Sequence, residues 1–164
     1  MAKGARRIVT GHDAAGKAVV VSDGVMEPES VRDGAAYFTK IWTTDVSPAD
    51  CDDPFDGAQR EVGLTCPGGT VLRFVDIGPG TRTAMHRTDS LDYGIVLDGE
   101  LDLELDDGKT VRVRAGDTVV QRGTIHAWVN DGPDWVRMVF FMIDAKPATV
   151  DGGPLPAMGS TYGK

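Results

Sequence analysis

The 164-residue sequence predicts an all-β fold in a single domain, a size within the usual range for one domain. From residue 70 onward, short β-rich segments follow one another roughly every eight to ten residues, which is typical of a sandwich or a barrel. The composition points the same way, since Asp-Gly pairs favour tight hairpin turns over long helices. Seven such pairs occur, beginning at Asp23, Asp33, Asp56, Asp98, Asp107, Asp131 and Asp151.

The N-terminal part of the chain predicts a β-hairpin over residues 6–22, within an arm that spans residues 1–30. A hairpin alone is marginally stable in water. We therefore expect it to dock on the main sheet or on a second subunit. The next strand candidate, Tyr37 to Thr44, combines aromatic and β-branched residues.

The body of the domain is predicted at residues 31–147, and its repeated strand pattern covers residues 70–144. The C-terminal segment 148–164 is rich in Pro and Gly and is predicted to be an irregular tail. The strands of the body are expected at Val71 to Ile77 and at 83–88, 92–98, 101–105, 109–114, 117–121, 126–130 and 135–144.

One hairpin of this body can be given a register from side-chain parity. A two-residue loop at Asp107-Gly108 would pair apolar with polar positions. A three-residue loop pairs Leu103 with Val111 and Leu101 with Val113, which keeps one face apolar. Gly108 can supply the left-handed residue that such a loop needs.

The overall charge excludes some classes of partner. Lys and Arg total 17 against 25 Asp and Glu, which gives a formal net charge of −8 and disfavours binding to nucleic acid. The longest apolar run, Met138 to Ile143, is far shorter than the ~20 residues of a membrane helix. No apolar segment typical of a signal peptide follows the basic N-terminus, so we expect a cytoplasmic protein without membrane contacts.

Two residue clusters in the body carry the chemistry. The first cluster contains Gly80, His86, Asp92 and Gly99, and the second contains Gly116, Gly123, His126 and Asn130. The order and spacing of these residues resemble the two motifs of the cupin superfamily, in which Gly, His, an acidic residue and Gly are followed by Gly, Gly, His and Asn. This resemblance implies a single-domain, cupin-like jelly-roll barrel whose mouth holds a metal or a substrate.

The sequence departs from the family pattern at three places. Thr88 stands where cupins usually have a second His, Asp92 replaces Glu, and Gln121 stands in the place of Pro. The usual set of three His and one Glu is therefore reduced to two His and one carboxylate.

Alternation of side chains along strands places the remaining donors together. His86 and Thr88 would share one inward face of their strand. A second inward face would carry His126, Trp128 and Asn130. On the strand of Asp92, Gly94 would leave room for a ligand beside the carboxylate. The set His86, Asp92 and His126 would suit a divalent transition metal such as Fe, Zn, Mn or Ni. Without metal, both imidazoles would instead be polar pocket residues.

These residues favour a metal-dependent enzyme that acts on a small carbonyl or aromatic substrate, as a lyase, dehydratase, decarboxylase or dioxygenase. His126 and Asp92 are the candidate catalytic residues. The candidate substrate-binding residues are Trp128 as an aromatic wall, Arg82, Thr88 and Gln121, and Gln121 could be a fourth ligand if it points inward.

Two other functions remain open from the sequence. His126 and Asp92 could exchange protons without metal, as in an isomerase, or the barrel could bind a small molecule without turning it over. Because many cupins pair, the resemblance also implies a homodimer, with strand exchange through residues 6–22 as its specific form.

Overall fold

The computed structural model describes residues 2–159 and is built almost entirely from short β-strands, which confirms the predicted all-β class. The structure contains no long helix within these residues, and none could cross a membrane. The strands are β1 (Ala5–His12), β2 (Ala18–Met26), β3 (Glu29–Val31), β4 (Ala36–Thr44), β5 (Thr70–Ile77), β6 (Thr81–Arg82), β7 (Ser90–Asp98), β8 (Glu100–Glu104), β9 (Thr110–Arg114), β10 (Thr118–Arg122), β11 (Ala127–Asn130), β12 (Val136–Asp144), β13 (Thr149–Val150) and β14 (Gly153–Pro154).

Two antiparallel sheets form the jelly-roll barrel that the sequence predicts. The larger has the strand order β10-β7-β12-β5-β4-β3, and the smaller has the order β6-β11-β8-β9. Inward-facing side chains of both sheets form one apolar core, because alternate residues of each strand point to the same face. Its fully buried members include Val71, Ile77, Val96, Leu101 and Met138.

The hairpin between β8 and β9 has the register predicted from parity. Leu101 lies opposite Val113 and Leu103 opposite Val111, joined by a three-residue turn. Gly108 in that turn has a φ of 70°, in the left-handed region that glycine adopts at little cost.

The predicted strand at residues 83–88 is wrong. Only Thr81–Arg82 pairs with β11 as a strand, and the chain then returns to that sheet at a single bridge between His86 and His126. The next residue, Arg87, pairs with Met158 of the C-terminal segment instead of continuing along β11. The C-terminal segment thus supplies backbone partners that would otherwise come from a continuous strand.

The N-terminal hairpin forms, but it is longer than predicted and extends from Ala5 to Met26. It docks on the barrel through Arg7, whose guanidinium donates to the Asp56 carboxylate at 2.6 and 2.8 Å and lies over the Trp42 ring. At the other end, the predicted irregular tail contains the small β13–β14 hairpin, while residues 160–164 lie outside the described residues.

Candidate functional site

A cavity of about 70 Å³ lies between the two sheets and contains most of the residues predicted to form a site. Its walls are mainly apolar, from residues such as Phe38, Leu64, Val75, Trp128, Phe140 and Met142. A smaller set of polar side chains also reaches it: Arg32, Arg73, Thr83, His86, Asp92, Gln121 and His126. An apolar cavity with a few convergent polar groups is the usual form of a small-molecule site.

His86 and His126 form a closely matched pair on the side of the smaller sheet. Their backbones exchange two hydrogen bonds of 2.9 and 3.0 Å, which brings the ring centroids to 4.2 Å. In each ring Nδ1 lies near the carbonyl two residues earlier, 3.0 Å from Ala84 for His86 and 2.9 Å from Thr124 for His126. A carbonyl can only accept, so both Nδ1 atoms carry the proton and each Nε2 is the acceptor of a neutral ring.

The environment keeps both imidazoles neutral at pH 7. Burial lowers the pKa of His86, because a charged ring would lose its hydration. Burial and then the neighbouring His86 lower the pKa of His126 to about 4. His126 is therefore a poor proton donor at neutral pH and is suited to act as an acceptor or a metal ligand.

Asp92 faces the same cavity from β7 in the larger sheet. The residue is 3 % exposed, and its Oδ1 has no hydrogen-bond partner among the described residues. Burial raises the pKa of Asp92 to about 6, although the neighbouring hydroxyls of Ser90 and Thr88 and the charge of Arg73 oppose this rise. A carboxyl group with a pKa close to neutral can both take and give a proton.

Thr88, predicted to contact substrate, supports Asp92 instead. Its hydroxyl accepts a 2.8 Å hydrogen bond from Ser90 and lowers the pKa of Asp92 through a second hydrogen bond. Thr88 is buried but does not line the cavity. Thr88, which stands at the position of the second His in the pattern described above, therefore supports the carboxyl group.

Gln121 points into the barrel, which parity alone could not decide. It lies directly opposite Asp92 in the β10–β7 ladder, is 3 % exposed and lines the cavity. Neither its amide oxygen nor its amide nitrogen has a hydrogen-bond partner among residues 2–159. Buried amide atoms without partners are costly, so these atoms are well placed to bind a ligand.

Trp128 forms the aromatic wall that the sequence predicts. Its ring lies edge-on to His126 at 5.9 Å and to Phe140 at 5.7 Å between centroids. The expectation that Gly94 makes room for a ligand is wrong, because a Cβ at this position would lie 2.8 Å from the Phe140 ring. Gly94 makes room for that ring, which in turn supports Trp128.

Arg82 does not reach the cavity. Its side chain is 50 % exposed and pairs with the Glu104 carboxylate on the outer surface, with hydrogen bonds of 2.9 and 2.8 Å. The prediction rested on the nearness of Arg82 to His86 in the sequence. Strand β6 ends at Arg82 and the chain returns to the sheet only at the His86 bridge, so this nearness does not bring the Arg82 side chain to the cavity.

Arg73 lines the cavity from β5 and is 6 % exposed, but it is not among the site residues predicted from the sequence. The signal was available in the strand itself. Val71, Val75 and Ile77 share one buried face of β5, and Arg73 alternates in phase with them. A lone basic residue on the apolar face of a strand indicates a buried charge.

The geometry of the described residues does not show the predicted three-ligand metal site. No three His, Cys, Asp or Glu side chains within residues 2–159 lie close enough to hold a metal ion, so His86, Asp92 and His126 do not form a preassembled three-ligand set. The two imidazoles nevertheless fit a divalent transition metal, because anchoring of Nδ1 to a carbonyl is the usual outer contact of a ligating His. Unpaired oxygens of Gln121 and Asp92 face the same cavity.

Fold and site together define a jelly-roll barrel whose internal cavity is lined by two imidazoles and a carboxyl group. The chain belongs to the cupin superfamily: a family model described as "Cupin domain" matches residues 73–143. The matched segment runs from β5 to β12 and contains His86, Asp92, Gln121 and His126.

Several curated proteins are similar over most of their length. Phomopsin biosynthesis cluster protein C' of Diaporthe leptostromiformis is 42 % identical over 89 % of this chain and 82 % of its own. The cupin-domain-containing oxidoreductase fogC of Aspergillus ruber is 32 % identical over 96 % of this chain and 81 % of its own. The cupin-domain-containing oxidoreductase virC of Hypocrea virens is 35 % identical over 88 % of this chain and 78 % of its own.

Solved structures share the fold at lower identity. The polyketide cyclase RemF from Streptomyces resistomycificus superposes with a TM-score of 0.53 at 21 % identity, covering 84 % of both chains. The Cnp3 cupin domain of Schizosaccharomyces pombe gives 0.54 at 11 % identity, covering 85 % of this chain and 87 % of its own.

Proposed function

We propose that this cupin is an enzyme that moves a proton on a small carbonyl or aromatic compound bound in the barrel cavity, with Asp92 as the proton-transferring group. The observation that carries the proposal is the Asp92 carboxyl group, which is buried, faces the cavity and keeps one oxygen without a partner among the described residues. With a pKa of about 6, it is ionised at neutral pH and still close enough to its pKa to return the proton.

The two sides of the cavity take different roles in this proposal. Asp92 accepts a proton from carbon beside a carbonyl group and later returns it. Neutral His86 and His126 lie beside the smaller sheet and present Nε2 acceptors, while Trp128 and the other apolar walls exclude water from the bound substrate. Exclusion of water strengthens each of these polar contacts.

A divalent transition metal, with Fe, Zn, Mn and Ni all open, is proposed as the cofactor. His86 and His126 would hold it, and an oxygen of Gln121 or Asp92 would complete the donor set. When bound, the metal supplies Lewis-acid chemistry that stabilises negative charge on a substrate oxygen. Asp92 then serves as ligand or as base, and metal analysis of its variants distinguishes these roles.

Metal content tests this part of the proposal directly. We expect H86A and H126A each to lose most of the bound metal, because these two neutral imidazoles are the cavity side chains suited to bind a transition metal through nitrogen. His12 is exposed near the N-terminal turn, so H12A is the matched control and should keep it. Elemental analysis by mass spectrometry after dialysis measures the stoichiometry. Metal retained in both cavity variants would contradict the ligand assignment.

The reaction itself is tested without knowing the natural substrate. Small aromatic ketones exchange the hydrogens beside the carbonyl slowly in neutral D₂O, and proton NMR follows that exchange. We expect the purified protein to accelerate the exchange of at least one ketone in such a panel. A panel with no acceleration, with and without added Fe(II), Zn or Mn, would contradict the proposal. Activity retained in EDTA would instead favour the metal-free isomerase.

A second candidate function is an oxidoreductase. It is favoured by the names of relatives such as fogC and virC, which are called cupin-domain-containing oxidoreductases. None of the polar side chains that reach the cavity is itself a redox group, so this function would depend on the metal. Substrate-dependent oxygen uptake in the same compound panel distinguishes it from proton transfer.

We also propose that two copies of the chain associate through the N-terminal hairpin and that the protein acts in the cytoplasm. β1 and β2 pair only with each other within the described residues, and Val20, Val21 and Val25 are exposed on them. Deletion of residues 1–22 should convert a dimer into a monomer or an aggregate, as measured by light scattering after size exclusion. An unchanged dimer would contradict strand exchange through the hairpin.

A further inference from the structure

Arg73 is a buried cation inside the barrel that the proposed proton transfer does not use. Its guanidinium lines the same cavity as His126, Asp92 and Gln121, and the residue is 6 % exposed. Burial is the largest influence on the guanidinium and lowers its pKa to about 10, which leaves it charged at neutral pH. A buried charge is costly unless something compensates for it.

The compensation available within the protein is incomplete. One terminal nitrogen of Arg73 donates to the backbone oxygens of Gly63 and Leu64, both at 2.7 Å, and the guanidinium lies 5.3 Å from the centre of the Phe38 ring. Its Nε is buried and has no hydrogen-bond partner among the described residues. Neutral carbonyls and a ring face stabilise the cation, but they do not neutralise it.

No carboxylate among residues 2–159 lies within 4.0 Å of the Arg73 guanidinium. Asp92 acts on Arg73 through its charge, but it makes no ion pair with it at this distance. Surface arginines differ, since each of Arg6, Arg82 and Arg114 lies against a carboxylate at 2.9 Å or less. Arg73 is therefore a buried cation that has no carboxylate in contact with it among the described residues.

We propose that Arg73 binds the acidic oxygen of the substrate, so that the natural substrate is a small organic anion, such as a carboxylate or an acidic enol or phenol, attached to an apolar body. The anion contacts the guanidinium on the larger sheet, and the apolar body packs against Trp128 and Phe140. A cavity of about 70 Å³ admits a short carboxylic acid or the acidic end of a larger molecule. Hydrogen bonds between Arg and carboxylate are among the strongest in proteins.

This proposal rests on the proposed function for the identity of the site, but a binding measurement tests it without turnover. Propionate and its neutral analogue propionamide are nearly equal in size and differ in charge. We expect the intact chain at pH 7.5 to bind propionate at least tenfold more tightly than propionamide, as measured by calorimetry or ligand-observed NMR. If the protein accelerates no ketone exchange but still prefers propionate, only the proposed proton transfer is contradicted, and the anion site stands.

Variants assign the preference to Arg73. R73M keeps the apolar volume but removes the charge, and it should bind the two ligands with nearly equal affinity, a loss of about 10- to 100-fold for propionate. R73K should keep part of the preference. The matched control is R137M, because Arg137 also stacks on a ring, Phe74, but lies outside the cavity. It should bind propionate as the unchanged protein does.

The test compares the affinities for propionate and propionamide within one variant. Lower stability of R73M does not affect this ratio, because the folded fraction is the same in both measurements. An R73M variant that still prefers propionate would overturn the proposal. So would an unchanged protein that binds both ligands equally. A preference that disappears when EDTA removes the metal would assign the anion to the metal and not to Arg73, which would also overturn it.

Discussion

Replacement of Asp92 by Asn should lower the rate of proton exchange on a responsive ketone by about 100- to 10,000-fold, the usual contribution of a positioned general acid or base. Asn has almost the same shape and can still accept a hydrogen bond from the Thr88 hydroxyl through its amide oxygen. It cannot take up a proton near neutral pH. The loss should therefore fall on the exchange rate, while affinity for the ketone changes little.

The pH profile adds a signature that a merely structural role would not produce. Exchange by the unchanged protein should rise as pH increases through about 6, because only the ionised Asp92 carboxylate accepts a proton. D92N should lose this rise. Asp98 lies on the same strand, β7, but is exposed at its end, so D98N is the matched control and should exchange at the normal rate. Normal exchange by D92N would refute the assignment of Asp92.

Much of the barrel follows from local rules that act along the sequence. The β8–β9 register follows because one shift would move Leu101 and Leu103 to the opposite face from Val111 and Val113. The shared face of His126, Trp128 and Asn130 also follows from alternation, and all three are buried in the structure. Such predictions succeed where a strand is continuous and one of its faces is clearly apolar.

The errors arise where contacts between distant segments decide the outcome. The strand expected at 83–88 is broken, because Arg87 pairs with Met158 of the C-terminal segment, and the nearby Arg82 pairs with Glu104 instead of entering the cavity. The space beside Gly94 is filled by Phe140, which lies 46 residues further along the chain. Local sequence carries no information on which distant ring will occupy such a space.

Gln121 shows an intermediate case. Its residue type suggested a donor, but its direction depends on the pairing of β10 with β7, which places it opposite Asp92. The sequence could therefore nominate the donors of the site, while the three-dimensional arrangement decides which of them meet. The same arrangement separates the pKa values of Asp92 and His126 in opposite directions.

This separation predicts opposite effects of acid on two variants of the metal-free protein. In the unfolded chain His126 takes up a proton near pH 6.5, but in the folded chain only near pH 4, so acidification between these values favours unfolding. Asp92 does the reverse, because the folded chain protonates it near pH 6 and the unfolded chain only near 3.9. When the pH falls from 7.5 to 5, proton uptake at His126 should lower the free energy of unfolding by about 2 kcal/mol, and proton uptake at Asp92 should raise it by about 1 kcal/mol.

In the unchanged protein these two contributions largely offset each other, so each becomes visible only when the other is removed. Urea unfolding in EDTA at pH 7.5 and at pH 5 measures them as the change in unfolding free energy between the two pH values. Relative to the unchanged protein, H126Q should lose less stability on acidification by about 2 kcal/mol, and D92N should lose more by about 1 kcal/mol. H12Q, altered at an exposed His, controls for the general effect of acid and should behave like the unchanged protein. If H126Q and H12Q respond alike, His126 is not held neutral by burial, and its assignment as a neutral acceptor in the cavity fails.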